Sequence, residues 1–153
     1  MRRTATILAT LALMVVFSSG VALASYEDSI TGTDQTDILS GTGKSERILG
    51  LGGGDRLYGG GGSDVVKGGK GQDELGDGFG RDALAGGSGA DNLIGQGNDT
   101  WVDGFYGGGG SDIIQSRDVP AVEDTVECGP GTDKVYADED DVVAGDCERV
   151  NVR

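Results

Sequence analysis

The sequence predicts an all-β chain wound as a parallel solenoid, and three observations predict it. Acids recur at every ninth position: Asp37, Glu46, Asp55, Asp64, Asp73, Asp82 and Asp91. An aliphatic stands two places after each, at Leu39, Ile48, Leu57, Val66, Leu75, Leu84 and Leu93. Glycine fills the turn before each acid, most plainly at Gly59 to Gly62 and at Gly86, Gly87 and Gly89. Glycine reaches positive φ at low steric cost, which a tight turn needs. The residues around each aliphatic form a short strand with one inward side chain. Turn plus strand is half a coil, so two nonamers make one coil of eighteen residues.

The elements follow in chain order. Residues 1–24 have the form of a secretory signal peptide. Arg2 and Arg3 supply a positive start, Ile7 to Phe17 an apolar stretch, and Ala22-Leu23-Ala24 a small-x-small cleavage site. The apolar run is shorter than the ~20 residues a spanning helix needs. Secretion is therefore the expected localisation, with a short lead-in at 25–31. Nonamers follow at 32–40, 41–49, 50–58, 59–67, 68–76, 77–85 and 86–94.

After Ile94 the frame slips and two registers compete. One places Asp99 in the acid position with Trp101 inward, and the Gly97-Asn98-Asp99 turn favours it. The other takes Asp103 and Phe105, and the nine-residue step from Asp103 to Asp112 favours that. The first is preferred here. Residues 107–115 are regular again, with Asp112 and Ile114 in place. Repeats therefore run over 32–115. Residues 116–153 hold degenerate last repeats (Asp124 with Val126, Asp133 with Val135) and a cap.

Composition excludes several function classes. Loss of the leader would remove two of 12 basic residues and none of 26 acidic ones, taking the net charge from −14 to −16. Such a chain repels nucleic acid and anionic membranes and attracts cations. About a third of residues 32–110 are glycine, but with no Gly-X-Y period and no proline, so collagen is excluded. There is no histidine, so Ser-His-Asp and His-ligated zinc chemistry are absent. The acids stand in a repeating column rather than around a pocket, and no enzyme is expected. Cys128 and Cys147 are the only cysteines, which in a secreted protein is most simply one disulfide.

The pattern resembles the hemolysin-type calcium-binding (RTX) nonapeptide, Gly-Gly-x-Gly-x-Asp-x-aliphatic-x, over roughly residues 32–135. The resemblance implies a right-handed parallel β-roll with Ca²⁺ held between the turns of successive coils, and a cap closed at its cysteines. The turn chemistry agrees. Calcium takes six to eight oxygens at about 2.3–2.6 Å. A glycine turn exposes carbonyls, an aspartate adds charge, and two stacked turns together supply enough ligands. Like charges stacked about 4.8 Å apart repel unless a cation lies between them.

Ligands therefore pair one coil apart, in a column Asp37, Asp55, Asp73, Asp91, Asp112, Asp133 and an opposite column Glu46, Asp64, Asp82, Asp99, Asp124. The expected metal ligands are Asp37, Asp55, Asp64, Asp73, Asp82, Asp91, Asp99, Asp112 and Asp133, holding several calcium ions. Glu46 is set aside for its extra methylene and for Lys44 in its turn. One buried aliphatic per nine ordered residues is a thin core against the conformational entropy of ordering them, so calcium binding is expected to drive folding.

The leading function is a secreted calcium-binding β-roll without nucleic-acid or membrane-inserting activity. The rival is an extracellular adhesion or structural module whose unidentified surface partner would meet an apolar strip of Leu49, Val65, Ala83, Ala85 and Val102. Scattered surface apolars are normal, and this is the simpler account of the strip. An ice-binding face would need ranked threonines, and the outward positions Ile38, Arg56, Glu74 and Asn92 have none.

Overall fold

The computed structural model describes residues 28–96 and 100–153. The leader expected at 1–24 and the turn residue Asp99 lie outside them. No helix occurs among the described residues; fourteen strands alternate between two sheets. The first sheet stacks β1 (Asp28–Thr31), β3 (Glu46–Gly52), β5 (Val65–Lys70), β7 (Ala83–Ser88), β9 (Gly104–Gly109), β11 (Thr125–Glu127) and β13 (Val142–Val143). The second stacks β2 (Ile38–Ser40), β4 (Arg56–Gly61), β6 (Glu74–Phe79), β8 (Asn92–Ile94), β10 (Ile113–Gln115), β12 (Lys134–Ala137) and β14 (Arg149–Val152). All neighbours pair in parallel, giving a β-solenoid of about seven turns.

The register confirms eighteen residues per coil through the regular repeats: Leu57 lies beside Leu75, and Val66 beside Leu84. Each aliphatic two places after an acid points inward. Ile48, Leu57, Val66, Leu75, Leu84, Leu93, Phe105, Ile114, Val126 and Val135 are all fully buried in one core. The core is one side chain wide per strand, because alternate residues of a strand face opposite sides.

At the irregular segment the structure corrects the preferred register. Asp103 takes the acid position, in line with Asp82 and Asp124, and Phe105 is the inward residue, beside Leu84. Trp101 is 53% exposed. The deciding contact is non-local. Gly107-Gly108 must stack on Gly86-Gly87, and only Phe105 then stands opposite Leu84. The steps from Asp91 to Asp103 and from Asp112 to Asp124 are each twelve residues instead of nine. The register accordingly shifts to 21 residues in both sheets, as in Leu93 with Ile114 and Phe105 with Val126.

Cys128 and Cys147 form the expected disulfide, with Cα atoms 5.2 Å apart. Cys128 occupies the first position of the last full turn, and Cys147 joins the closing segment to it. The apolar strip weighed above is interrupted: Val65 lies beside Arg47, and Leu49 beside Lys67.

Candidate metal centre

The turns that carry the acids have a repeating backbone. Counting each nonamer from its first residue, positions 2 and 4 have positive φ in the nonamers that begin at residues 50, 59, 68, 77, 86 and 107. In one turn they are Gly69 (φ 113°) and Gly71 (φ 125°); in another, Gly87 (φ 113°) and Gly89 (φ 141°). L-residues avoid this region, which is the physical content of the Gly-x-Gly spacing. Close stacking adds a second demand. A Cβ on Gly71 would fall 1.5 Å from the carbonyl oxygen of Gly53 one coil away, and one on Gly89 would fall 1.5 Å from that of Gly71. Position-4 carbonyls thus lean along the stack, and no described backbone N–H bonds to those of Gly53, Gly62, Gly71 or Gly89.

The acids form two continuous columns. In one, the N–H of Asp37 donates to Asp55 Oδ1, that of Asp55 to Asp73 Oδ1, that of Asp73 to Asp91 Oδ1, and so on through Asp112 to Asp133, each at 2.8 Å. In the other, Glu46, Asp64, Asp82, Asp103 and Asp124 are linked in the same way at 2.7–2.8 Å. The columns end at further carboxylates: Glu148 accepts the N–H of Asp133, and Asp141 that of Asp124.

Eight of the nine expected ligands therefore stand in these columns; Asp99 lies outside the described residues, and Asp103 fills the place expected of it. Glu46 and Asp124 stand in line as well. The step from Asp103 to Asp112, with Phe105 two places on, was the signal for Asp103. Turn composition around Asp99 outweighed it.

Only one oxygen of each acid is used by this ladder. Oδ2 of Asp55, Asp64, Asp73, Asp91, Asp112 and Asp133 is buried and accepts no hydrogen bond from the described residues. A buried acceptor left unmade costs about 1–3 kcal/mol, and more when charged. Six such atoms in register are evidence of a donor or cation that belongs there.

The first position of each turn shows where they point. A Cβ on Gly50 would fall 2.3 Å from Asp55 Oδ2 and 2.5 Å from the Gly68 carbonyl; at Gly68 the same atoms are Asp73 Oδ2 and the Gly86 carbonyl, at 2.4 and 2.6 Å. A carboxylate oxygen and a carbonyl of the next coil thus converge under each first-position glycine. Among the described residues no three acidic or sulfur side chains gather around one point. A cation here would be held by acids of adjacent coils together with backbone carbonyls, an all-oxygen set that suits calcium.

The electrostatics agree. Burial raises the pKa of Asp55, Asp64, Asp73 and Asp112, against the lowering effect of the N–H bond from the previous coil, and the neighbouring acid raises it further. Asp91 is raised to about 6 by burial and by the charges of Asp112 and Asp73. Asp103 and Asp124 reach about 8, burial again first, with Asp77 acting on Asp103 and Asp118 on Asp124. Carboxyls that resist ionisation to this degree need a proton or a cation. A groove of about 400 Å³ runs over Thr36, Asp55, Gln72, Asp73 and Ala90, along one column.

No curated protein and no solved structure matches the chain. Residues 40–75 match the family model of the RTX calcium-binding nonapeptide repeat, in four copies. That segment contains the turns of Glu46, Asp55, Asp64 and Asp73, so over these turns the chain is similar to the RTX calcium-binding nonapeptide repeat.

Proposed function

We propose that the chain is a secreted calcium-binding module whose β-roll is folded and stiffened by a file of ions along each acid column. The observation that carries this reading is the row of buried Oδ2 atoms, those of Asp55, Asp64, Asp73, Asp91 and Asp112 each beside a carbonyl of the next coil. Asp55, Asp73, Asp91, Asp112 and Asp133 would serve one file, and Asp64, Asp82, Asp103 and Asp124 the other. Bound calcium would neutralise the stacked charge, and its binding energy would become folding energy. The thin core and the absence of histidine favour a structural and binding role over catalysis. No described helix is long and apolar enough to cross a membrane, and the signal-like start of the chain favours export. Extracellular modules of this kind bind calcium at about 10⁻⁴–10⁻³ M.

Far-UV circular dichroism of residues 25–153, chelated and then titrated with Ca²⁺ and with Mg²⁺, tests the reading. A cooperative gain of β signal with Ca²⁺ alone is expected. Asp73→Ala, which removes a carboxylate shared by two neighbouring sites, should move the midpoint to several-fold higher calcium. Full β signal in chelator would remove calcium-driven folding from the proposal.

A further inference from the structure

The first two turns differ from the glycine turns of Asp55, Asp64, Asp73, Asp91 and Asp112 at the same atoms. Asp37 Oδ2 accepts the N–H of Thr33 at 2.7 Å and its hydroxyl at 2.8 Å. Glu46 Oε2 accepts the N–H of Thr42 at 3.1 Å, and its Oε1 accepts the Thr42 hydroxyl. Thr33 and Thr42 both stand at position 2. In later turns that place has φ of 80–113°, at Leu51, Gly60, Gly69, Gly87, Gly108 and Gly129. Neither threonine adopts positive φ, as expected of a β-branched residue. The turn folds instead so that N–H and hydroxyl both reach the carboxylate. A third substitution stands beside them. Asp28 lies in register with Glu46 at the head of its column, and Lys44 Nζ is 3.1 Å from Asp28 Oδ2. Lys44 takes position 4, where the nonamers from residue 50 to residue 94 carry glycine.

We infer that the amino-terminal coil is closed by the protein's own donors in place of calcium, so that the ion files begin at Asp55 and Asp64. Thr33, Thr42 and Lys44 set that boundary. The hydroxyls and N–H groups satisfy the oxygens that would otherwise face an ion, and the ammonium neutralises the acid at the head of the column. One end of the roll then keeps its turns satisfied when calcium is withdrawn, while the later turns lose their ligand. The inference rests on the reading that the later turns hold calcium.

Counting bound ions by native mass spectrometry of residues 25–153 at saturating Ca²⁺ tests it. Asp37→Asn and Glu46→Gln should keep the wild-type count, and Asp73→Asn should lower it. The triple variant Thr42→Gly, Lys44→Gly, Glu46→Asp restores the repeat motif in the second turn and should bind one more ion than wild type. Loss of an ion in Asp37→Asn or Glu46→Gln would overturn the inference and leave the calcium reading standing. A wild-type chain that binds no calcium would overturn both. Because the asparagine and glutamine variants keep the side-chain shape, circular dichroism in calcium should match wild type and confirm that the count is read on a folded roll.

Discussion

The turn at residues 41–46 and the turn at residues 68–73 have the same length, the same place in a coil and an acid in the same position, yet they solve different problems. In the first, Thr42 gives Glu46 two hydrogen bonds and Lys44 neutralises the acid next in line. In the second, positive φ at Gly69 and Gly71 leaves Asp73 Oδ2 buried without a donor among the described residues. The difference teaches what the glycines are for. They hold the backbone in a form that leaves its own acid without a donor, which on the proposed reading prepares the turn for a cation at a cost in metal-free stability. Residues with a Cβ at positions 2 and 4 give up that preparation and gain a turn that is complete on its own.

Substituting glycines in the two turns should break the symmetry most sharply. Gly71→Ala would force a Cβ to 1.5 Å from the Gly53 carbonyl at a φ of 125°, and nothing flexible stands there to give way. We expect a loss on the order of 4 kcal/mol in the calcium-loaded roll. Gly43→Ala meets nothing within 4 Å in the threonine-locked turn and should change stability by less than about 0.5 kcal/mol. Thermal or denaturant unfolding in saturating calcium reads both; equal losses would show that stacking is no tighter in the open turns.

The core offers a second contrast. Leu75 is fully buried in mid-stack, whereas Leu39, in the first coil, is only partly buried. Leu75→Ala should cost about 2–5 kcal/mol. Leu39→Ala should cost about 1 kcal/mol, because among the described residues its strand has a neighbour on one side only. A denaturant series on the two variants would reveal any reversal of that order.

A third contrast is with pH. Asp91, Asp103 and Asp124 have carboxyls raised to about 6, 8 and 8 in the roll, against an ordinary 3.8. The folded form therefore holds their protons more tightly than the unfolded form does. Metal-free stability should rise as pH falls from above 8 towards about 4, and gain nothing more once both forms are protonated. Calcium affinity should move the other way, since protons compete for the same oxygens. Chelated chain with less β signal at pH 5 than at pH 8 would contradict the first expectation, and calcium binding that is as tight at pH 5 would contradict the second.

Much of this was legible in the chain itself. The nine-residue period, the acid and the aliphatic two places on are local properties, and they determined the solenoid, its eighteen-residue coil, the core from Ile48 to Leu93 and the two acid columns. The paired cysteines determined the closure of the far end. Tertiary structure decided what depends on a neighbour one coil away. Asp103 and Phe105, rather than Asp99 and Trp101, continue the column because strand β9 must stack on β7, and that pairing is invisible from the local turn composition. The fate of each acid's second oxygen was likewise settled by backbone conformation. The same carboxylate is satisfied where a threonine N–H can reach it and stranded where positive φ turns that N–H away. Sequence sets which groups recur; only the stacking of one coil on the next fixes which of their atoms are left for a cation.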